Sequence, residues 1–565
     1  MNLSRVPCSE YVRGEMRPAL CSVETTTSGS LFHWDSSNLI DPTMSLIHHF
    51  LERSATRFPD KTALVHGDVR ATYSEINNQA NNLALHLIED GLTPGDRVAL
   101  LMENCLEYVI SYYGILKTGA VAVPLNSDLK TEGLRAILAE LEAKCVISSS
   151  RFEKLLQAAD LAACGIQRLI LKSPNLKWSS TPCRVSDLDS LAQTRHARNP
   201  DIQIRGKDLA SIIFTSGSVG GPKGVMLSHQ NIVHNTSSIC EYLHLTHNDI
   251  QMVVLPFFYV MGKSLLNTHF AAGGTVVINN KFAFTAAVVN EMVSEKVTGF
   301  SGVPSTYAFL LHHSPIAAYR EKLSSLRYCS QAGGHMSRVI KEELRQVLPA
   351  HTDIYIMYGA TEASARLSYL EPGRFEEKID SVGKAIPGVT LRVLDEKGRE
   401  VPTGEIGELV ASGDNIMQGY WKDPGMTSKV LDQNGYHTGD LCYQDKEGFF
   451  YLVGRKDNLL KVGGHRINPR EIEDVLMGTG LLIEAVIFGV EDELLGHRLF
   501  AIATPKEKDC RPDTLLDLCE TKLPKYQVPS EIKFVPSLPK SANGKIDSAR
   551  CLELINQKVL PKPSE

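Results

Sequence analysis

Ser211-Ile-Ile-Phe-Thr-Ser-Gly-Ser-Val-Gly-Gly-Pro-Lys-Gly224 is an apolar run that breaks into hydroxyls, glycines and a lysine. The apolar half has the length and β-branched content of a buried strand. In the polar half, glycine lets successive backbone N–H groups converge on one point, Ser and Thr add hydroxyl donors, and Lys223 adds positive charge. Such a loop is suited to holding phosphate. It is not a G-x-x-x-x-G-K-[ST] loop, because Pro222 precedes the lysine and Gly224 follows it. A helix capped by Ser228 is expected directly after it.

Around this stretch, strand and helix patterns alternate. Short β-rich runs (Ala63–Val65, Val98–Met102, Val121–Pro124, Cys145–Ser148, Ser211–Phe214) are separated by helical stretches such as Tyr73–Ile88 and Leu106–Leu116. This predicts α/β layers around largely parallel sheets. Beyond Ser381 the helices thin out, and Gly383–Asp395, Gly404–Ser412 and Gly448–Val453 read as strands between Gly and Pro turns, a small β subdomain. Asn468-Pro469 reads as an N-cap and first helical residue, opening a helix to Met477 within a closing α+β unit. Residues 1–42 are rich in Ser and Thr and lack a sustained period. They read as a poorly ordered extension or a misassigned start, and folding is expected from Met44, where Leu46, Ile47, Phe50 and Leu51 recur at helical spacing.

Composition narrows the function. The chain has 565 residues, 43% apolar and 22% charged, enough for a large core and more than one domain. Lys+Arg 59 against Asp+Glu 65 leaves a net charge of −6, which offers no basic excess for nucleic acid or an anionic membrane surface. The 12 cysteines stand singly with no C-x-x-C pair, as in a reduced, cytoplasmic chain. There is no apolar run long enough for a transmembrane span and no signal-peptide core.

Three further stretches carry chemistry. Tyr355-Ile-Met-Tyr-Gly-Ala-Thr-Glu362 ends an apolar strand in an aromatic, a glycine, a hydroxyl and a carboxylate. There Tyr358 can stack on a base, Thr361 can reach a phosphate, and Glu362 offers hard oxygens to Mg²⁺. Tyr436-His-Thr-Gly-Asp440 is followed by Gly454-Arg-Lys-Asp457 and a run to Glu473. Leu538-Pro-Lys-Ser-Ala-Asn-Gly-Lys-Ile-Asp547 places Lys545 on a Gly-containing turn, from which domain motion can swing it into a site.

These four stretches, in this order, resemble the adenylate-forming (AMP-binding) superfamily, in its acyl-CoA synthetase or acid–thiol ligase branch. The resemblance runs from Met44 to about Ala549, supported by Ala71-Thr-Tyr-Ser-Glu-Ile and Leu116-Lys-Thr-Gly-Ala-Val-Ala-Val-Pro-Leu125. It implies a large N-terminal domain of two α/β subdomains plus a β-barrel, and a smaller mobile α+β C-terminal domain. The implied boundaries are 1–43 for the extension, 44–454 for the large domain, 455–555 for the small domain with a catalytic lysine, and 556–565 for a tail. It further implies that Thr215, Ser216, Gly217, Ser218, Gly220 and Lys223 grip the ATP phosphates. Tyr358 and Gly359, with Gly333 and Gly334 of Gln331-Ala-Gly-Gly-His335, would line the adenine site, and Asp440 and Arg455 would hold the ribose. Thr361 would contact the α-phosphate, Glu362 would bind Mg²⁺, and Lys545 would bridge carboxylate and phosphate during adenylation. Asp457 would be the hinge, Gly463, Gly464 and Tyr259 would border a thiol tunnel, and Lys461 would serve the second half-reaction.

By this resemblance the protein is expected to activate a carboxylic acid with ATP to acyl-AMP, releasing pyrophosphate, and to pass the acyl group to coenzyme A. The phosphopantetheine arm of an acyl or peptidyl carrier protein is the alternative acceptor. A nucleotide-binding protein without catalysis, and a luciferase-like oxidase, are the readings from other classes; retention of Lys223, Glu362, Asp440, Arg455 and Lys545 argues against the first. Relatives that activate amino acids carry an aspartate near Pro256, but Leu255–Met261 holds no carboxylate. An unpaired buried ammonium costs several kcal/mol, so a fatty or aryl acid without one is expected. Phe257, Phe258 and Gly302 are assigned to the acid pocket. Lys263 reads as exposed or structurally paired, with a second substrate carboxylate as its other partner.

Two positions depart from the family pattern. Tyr259 replaces a histidine, which bears on the acceptor, and Val219 replaces a phosphate-contacting Thr or Ser. A restored hydroxyl in Val219→Thr is expected to lower the KM for ATP about two- to tenfold, the worth of one hydrogen bond, in a pyrophosphate-release assay. An unchanged KM would remove Val219 as a cause of weakened binding.

Overall fold

The computed structural model describes residues 45–178, 183–193, 198–215, 222–492, 494–541 and 544–556. The extension at 1–43 lies outside the described residues.

Two large, mainly parallel sheets form the body. The first has eight strands, in the order Gly419–Tyr420, Lys223–Ser228, Leu209–Thr215, Val121–Pro124, Arg97–Leu101, Cys145–Ser149, Arg168–Lys172 and Arg184–Asp187. From Leu209–Thr215 outward every pairing is parallel. The second has nine strands, with a parallel centre that includes Gly299–Gly302, Tyr328–Gln331 and Asp353–Tyr358 and with antiparallel strands at both edges. Burial on both faces explains why these strands read as continuous apolar runs.

Helices His49–Arg57, Tyr73–Glu89, Leu106–Lys117 and Val260–Ala272 pack between the sheets. The Tyr73 helix opens with a capping box: Glu75 N–H donates to Thr72 Oγ1 at 3.2 Å and Thr72 N–H donates to Glu75 Oε2 at 2.7 Å. It lies so close to the Leu106 helix that a Cβ on Gly114 would meet Leu83 at 3.0 Å. An aromatic group fills the space beside them. Phe270 stacks on Tyr113 at 5.5 Å between centroids and meets Tyr73 edge-on at 5.3 Å, and all three are fully buried.

A five-stranded antiparallel sheet makes up the β subdomain. Val389–Leu394 pairs with Gly407–Gly413, which pairs in turn with Gly435–Gln444. Its strands run from two residues at Leu431–Asp432 to ten at Gly435–Gln444. The sheet ends at Arg455, and after Lys456–Asn458 the smaller α+β domain begins with Leu460–Val462. There the helix Pro469–Met477 starts as expected, with Arg470 N–H donating to the Asn468 side chain at 3.2 Å.

One expected connection differs. Lys223 does not lead straight to a helix: Lys223–Ser228 is a strand, antiparallel to Leu209–Thr215 with Thr215 opposite Lys223. The helix His229–Tyr242 starts only after this strand, capped by Ser228. Among the described residues the ten cysteines are all free, nine of them buried, and burial raises every thiol pKa, that of Cys551 to about 11 and that of Cys145 to about 12. No helix among the described residues is long and apolar enough to cross a membrane.

Removing the stacked ring in Phe270→Ala is expected to destabilise the large domain by about 3–5 kcal/mol. Thermal unfolding followed by circular dichroism reads this as a clear fall in midpoint; an unchanged midpoint would show that the aromatic group is not structural.

Candidate active site

The site is built on a tight reversal after the strand Asp353–Tyr358. Leu367 N–H returns to Tyr358 O at 2.8 Å, and the chain passes so close that a Cβ on Gly359 would lie 2.0 Å from Ala365 O. Glycine is therefore required at 359. Ser364 (φ 57°) and Ala365 (φ 125°) take left-handed backbone conformations that L side chains rarely adopt. Two asparagines hold this turn: Asn415 Nδ2 donates to Ala363 O and Arg366 O, each at 3.1 Å, and Asn235 Nδ2 donates to Arg366 O at 2.8 Å.

Tyr358 Oη donates to Asp440 Oδ2 at 2.5 Å, which joins this turn to the antiparallel sheet. Asp440 lies opposite Arg455 across a ladder, with Arg455 Nε 3.8 Å from its carboxylate. Burial raises the Asp440 pKa, while Arg455 and Tyr358 pull the other way. Burial opposes the charge on Arg455, yet Asp440 and nearby tyrosines leave its pKa raised. The geometry thus brings together the residues assigned to base and ribose.

Glu362 follows in the same turn. Tyr420 Oη donates to its Oε1 at 2.8 Å, and the Lys223 ammonium lies 5.6 Å from the Tyr420 ring centre. Oε2 takes no hydrogen bond from the described residues, so a hard carboxylate oxygen is available to a cation such as Mg²⁺. Thr215 and Lys223 flank the phosphate loop at paired positions, but Ser216, Gly217, Ser218, Val219 and Gly220 lie outside the described residues.

Lys545 arrives from the small domain. Ser305 Oγ donates to Gly544 O, which anchors the lysine's turn against the large domain. Lys545 lines a cavity with Gly333, Gly359, Thr361 and Tyr259, which meet there from separate elements. Burial of its amine lowers the Lys545 pKa; Glu362 opposes that shift and Arg455 adds to it. Across the neighbouring cleft, His335 Nε2 lies 2.6 Å from Asp474 and Lys506 lies 2.6 Å from Glu343.

Other assigned residues lie elsewhere. Lys461, Gly463 and Gly464 are exposed on the small domain and do not line the cavity, and Asp457 is exposed in the connection between the domains. Gly334 lines the neighbouring cleft, not the cavity. The residues assigned to the acid pocket lie behind the cavity wall. Phe257 is fully buried against Tyr108, Phe258 is also buried, and neither they nor Gly302 lines the cavity. The Phe257 N–H donates to Asn104 Oδ1 at 2.7 Å, and Leu255, Tyr259, Val260 and Met261 form the wall of the cavity. Lys263 is not exposed either: it is buried, donates to Tyr108 Oη at 2.6 Å and lies 3.6 Å from the Tyr112 ring centre, with its pKa lowered by burial.

Sequence reasoning missed Tyr420, Ser305 and Arg366. Tyr420 sits far from any motif, and its role depends on the Gly419–Tyr420 strand pairing beside Lys223–Ser228. Arg366 is four residues beyond Glu362, and a basic residue so near the Thr-Glu pair was the available signal.

Comparison with known proteins agrees with this geometry. Residues 51–421 match the AMP-binding enzyme family and residues 471–545 match the AMP-binding enzyme C-terminal domain. The chain is 30% identical over 537 residues to a long-chain-fatty-acid–CoA ligase of Bacillus subtilis (strain 168), covering 90% of this chain and 94% of the relative. It is 32% identical over 497 residues to a feruloyl-CoA synthase of an Amycolatopsis species, covering 87% and 96%. The crystal structure of an anthranilate CoA ligase in complex with anthranoyl-AMP aligns with a TM-score of 0.80 at 25% identity, covering 90% of this chain and 97% of that one. With both its domains matched, the chain belongs to the AMP-binding enzyme family, as an ATP-using, AMP-forming acid–thiol ligase of the acyl-CoA synthetase type.

Proposed function

We propose that this ligase activates a fatty or aryl carboxylic acid lacking an α-ammonium group and transfers the acyl group to coenzyme A in the cytoplasm. The observation that carries the proposal is the cavity where Lys545 meets Thr361 and Gly359 beside the Tyr358–Asp440 pair. Its lining contains two cations, Lys545 and Arg366, and no carboxylate. A substrate ammonium would find no counter-charge there, whereas a carboxylate would.

The first step brings an anion to a polyanion, so fixed positive charge governs it. A substrate carboxylate oxygen attacks the α-phosphorus of ATP, and the bond to pyrophosphate breaks. Lys545 holds the carboxylate against the phosphate, and Thr361 contacts the α-phosphate. Lys223 and the adjoining loop restrain the β- and γ-phosphates, and Arg455 and Asp440 position the ribose. Glu362 would hold Mg²⁺, which when bound neutralises phosphate charge. In the second step the thiol attacks the acyl carbonyl and AMP departs. The exposed loop at Lys461, Gly463 and Gly464 would have to replace Lys545 at the cavity, by rotation about Asp457. A carrier-protein phosphopantetheine is the second acceptor to test, favoured by Tyr259 where a histidine is the family pattern.

Pyrophosphate release with ATP and Mg²⁺, across short, medium, long-chain and aryl acids with and without coenzyme A, tests the proposal. Release that requires an acid and speeds up with coenzyme A is expected; release indifferent to coenzyme A would favour the carrier protein. Lys545→Ala is expected to reduce adenylation about 10²–10³-fold, the usual cost of one transition-state donor, while sparing thioester formation from supplied acyl-AMP. Unchanged overall turnover would refute the role of Lys545. Because the protonated amine is the active form, kcat/KM should fall as pH rises through a pKa below the ordinary 10.5, and Lys545→Arg should lose that alkaline limb. A pH profile unaltered by this substitution would assign the limb to another group.

A further inference from the structure

Arg366 is buried, 2% exposed, and lines the same cavity as Lys545 and Thr361. Its hydrogen-bonding needs are poorly met: Nη1 donates to Ala365 O at 3.2 Å, and buried Nε has no partner. The Tyr242 hydroxyl is the side-chain group that bears on its charge, and it is neutral. No carboxylate of the described residues forms an ion pair with Arg366.

Other buried cations in this protein are resolved differently. Lys117 pairs with Glu52, and Arg327, only partly buried, pairs with Asp249 at 2.9 Å. Lys263 and Lys341 lack such partners, but a lysine can shed its proton, and burial moves the Lys341 pKa down to about 8. Arginine stays charged in proteins. The guanidinium therefore calls for an anion, and the space beside it is where the acid must enter. The left-handed residues Ser364 and Ala365, with Asn235 and Asn415 clamping the backbone, hold Arg366 at this wall. Strain of that kind gathers at ligand-binding positions.

Resting on the acid-activating function proposed above, we infer that Arg366 is a specificity-determining residue that receives a second carboxylate at the far end of the substrate. One carboxylate would lie at Lys545 and Thr361 for reaction, and the other would meet the planar guanidinium in a paired, two-bond contact. The substrate class is then a dicarboxylic acid, straight-chain or aryl.

The test compares matched acids of equal length, each as the monoacid, the diacid and the diacid's monoamide, in pyrophosphate release with ATP, Mg²⁺ and coenzyme A. The wild-type protein is expected to favour the diacid by about a hundredfold or more in kcat/KM, as sites with buried polar groups do. Arg366→Met should raise KM for the diacid by a similar factor with little change in kcat, collapsing the preference, and Arg366→Lys should keep part of it. Wild-type release with monoacids alone would overturn this inference and leave the acid–CoA ligase function standing. Arg366→Met lowering monoacid and diacid rates alike would also overturn it, because Arg366 would then serve the reacting carboxylate. No release with any acid would overturn both. Should Arg366→Met fail to fold, as judged by thermal melting, the wild-type series and Arg366→Lys decide.

Discussion

The hydrogen bond from Tyr358 to Asp440 sits where the parts of the molecule converge. Tyr358 ends a strand of the nine-stranded sheet, Asp440 belongs to the antiparallel sheet, and Arg455 beside it is the last residue before the connection to the small domain. A hydrogen bond to a charged acceptor is worth about 1.5–3 kcal/mol, more than most single contacts. Here it also fixes geometry. With Tyr358 tied down, the turn that follows must place Thr361, Glu362 and Arg366 within a few residues, and it does so through two strained positions offset by the Asn415 and Asn235 contacts.

The distribution of positive charge follows from the same convergence. Lys223 comes from a hairpin of the eight-stranded sheet, Arg455 from the antiparallel sheet, Arg366 from the strained turn and Lys545 from the small domain. Four separate elements thus bring positive charge to one site, and anions bound there would offset the repulsion between them. The contacts across the domain cleft, His335 with Asp474 and Lys506 with Glu343, are partly exposed and polar. Such contacts are individually weak, so they add little to the attachment of the small domain.

The alternation of strands and helices was legible because buried parallel strands are continuous apolar runs and their helices keep a regular period. The Pro469 helix and the Ser228 cap were legible from local chemistry, since capping depends on neighbours in the chain. The strand Lys223–Ser228 was not. Its pairing comes from Leu209–Thr215 across the loop, and six residues with one glycine carry little signal of their own. Thr361, Gly359, Gly333 and Lys545 were read from motifs, and the structure places them around one cavity. Phe257 and Phe258 were read as pocket walls, and an aromatic in sequence does not reveal which remote elements will bury it. Arg366 escaped notice because a charge in sequence does not reveal whether a counter-ion will be folded against it.

The burial of the cysteines bears on what an acyl-AMP would encounter. A mixed anhydride is a potent electrophile, and the enzyme that makes it must deliver it to a foreign sulfur before its own sulfur intercepts it. Nine of the ten described thiols are buried, and all ten are held in the protonated, unreactive form at neutral pH. Most of the described thiols thus serve as packing material, shielded from self-acylation by the same apolar surroundings that hold the fold together.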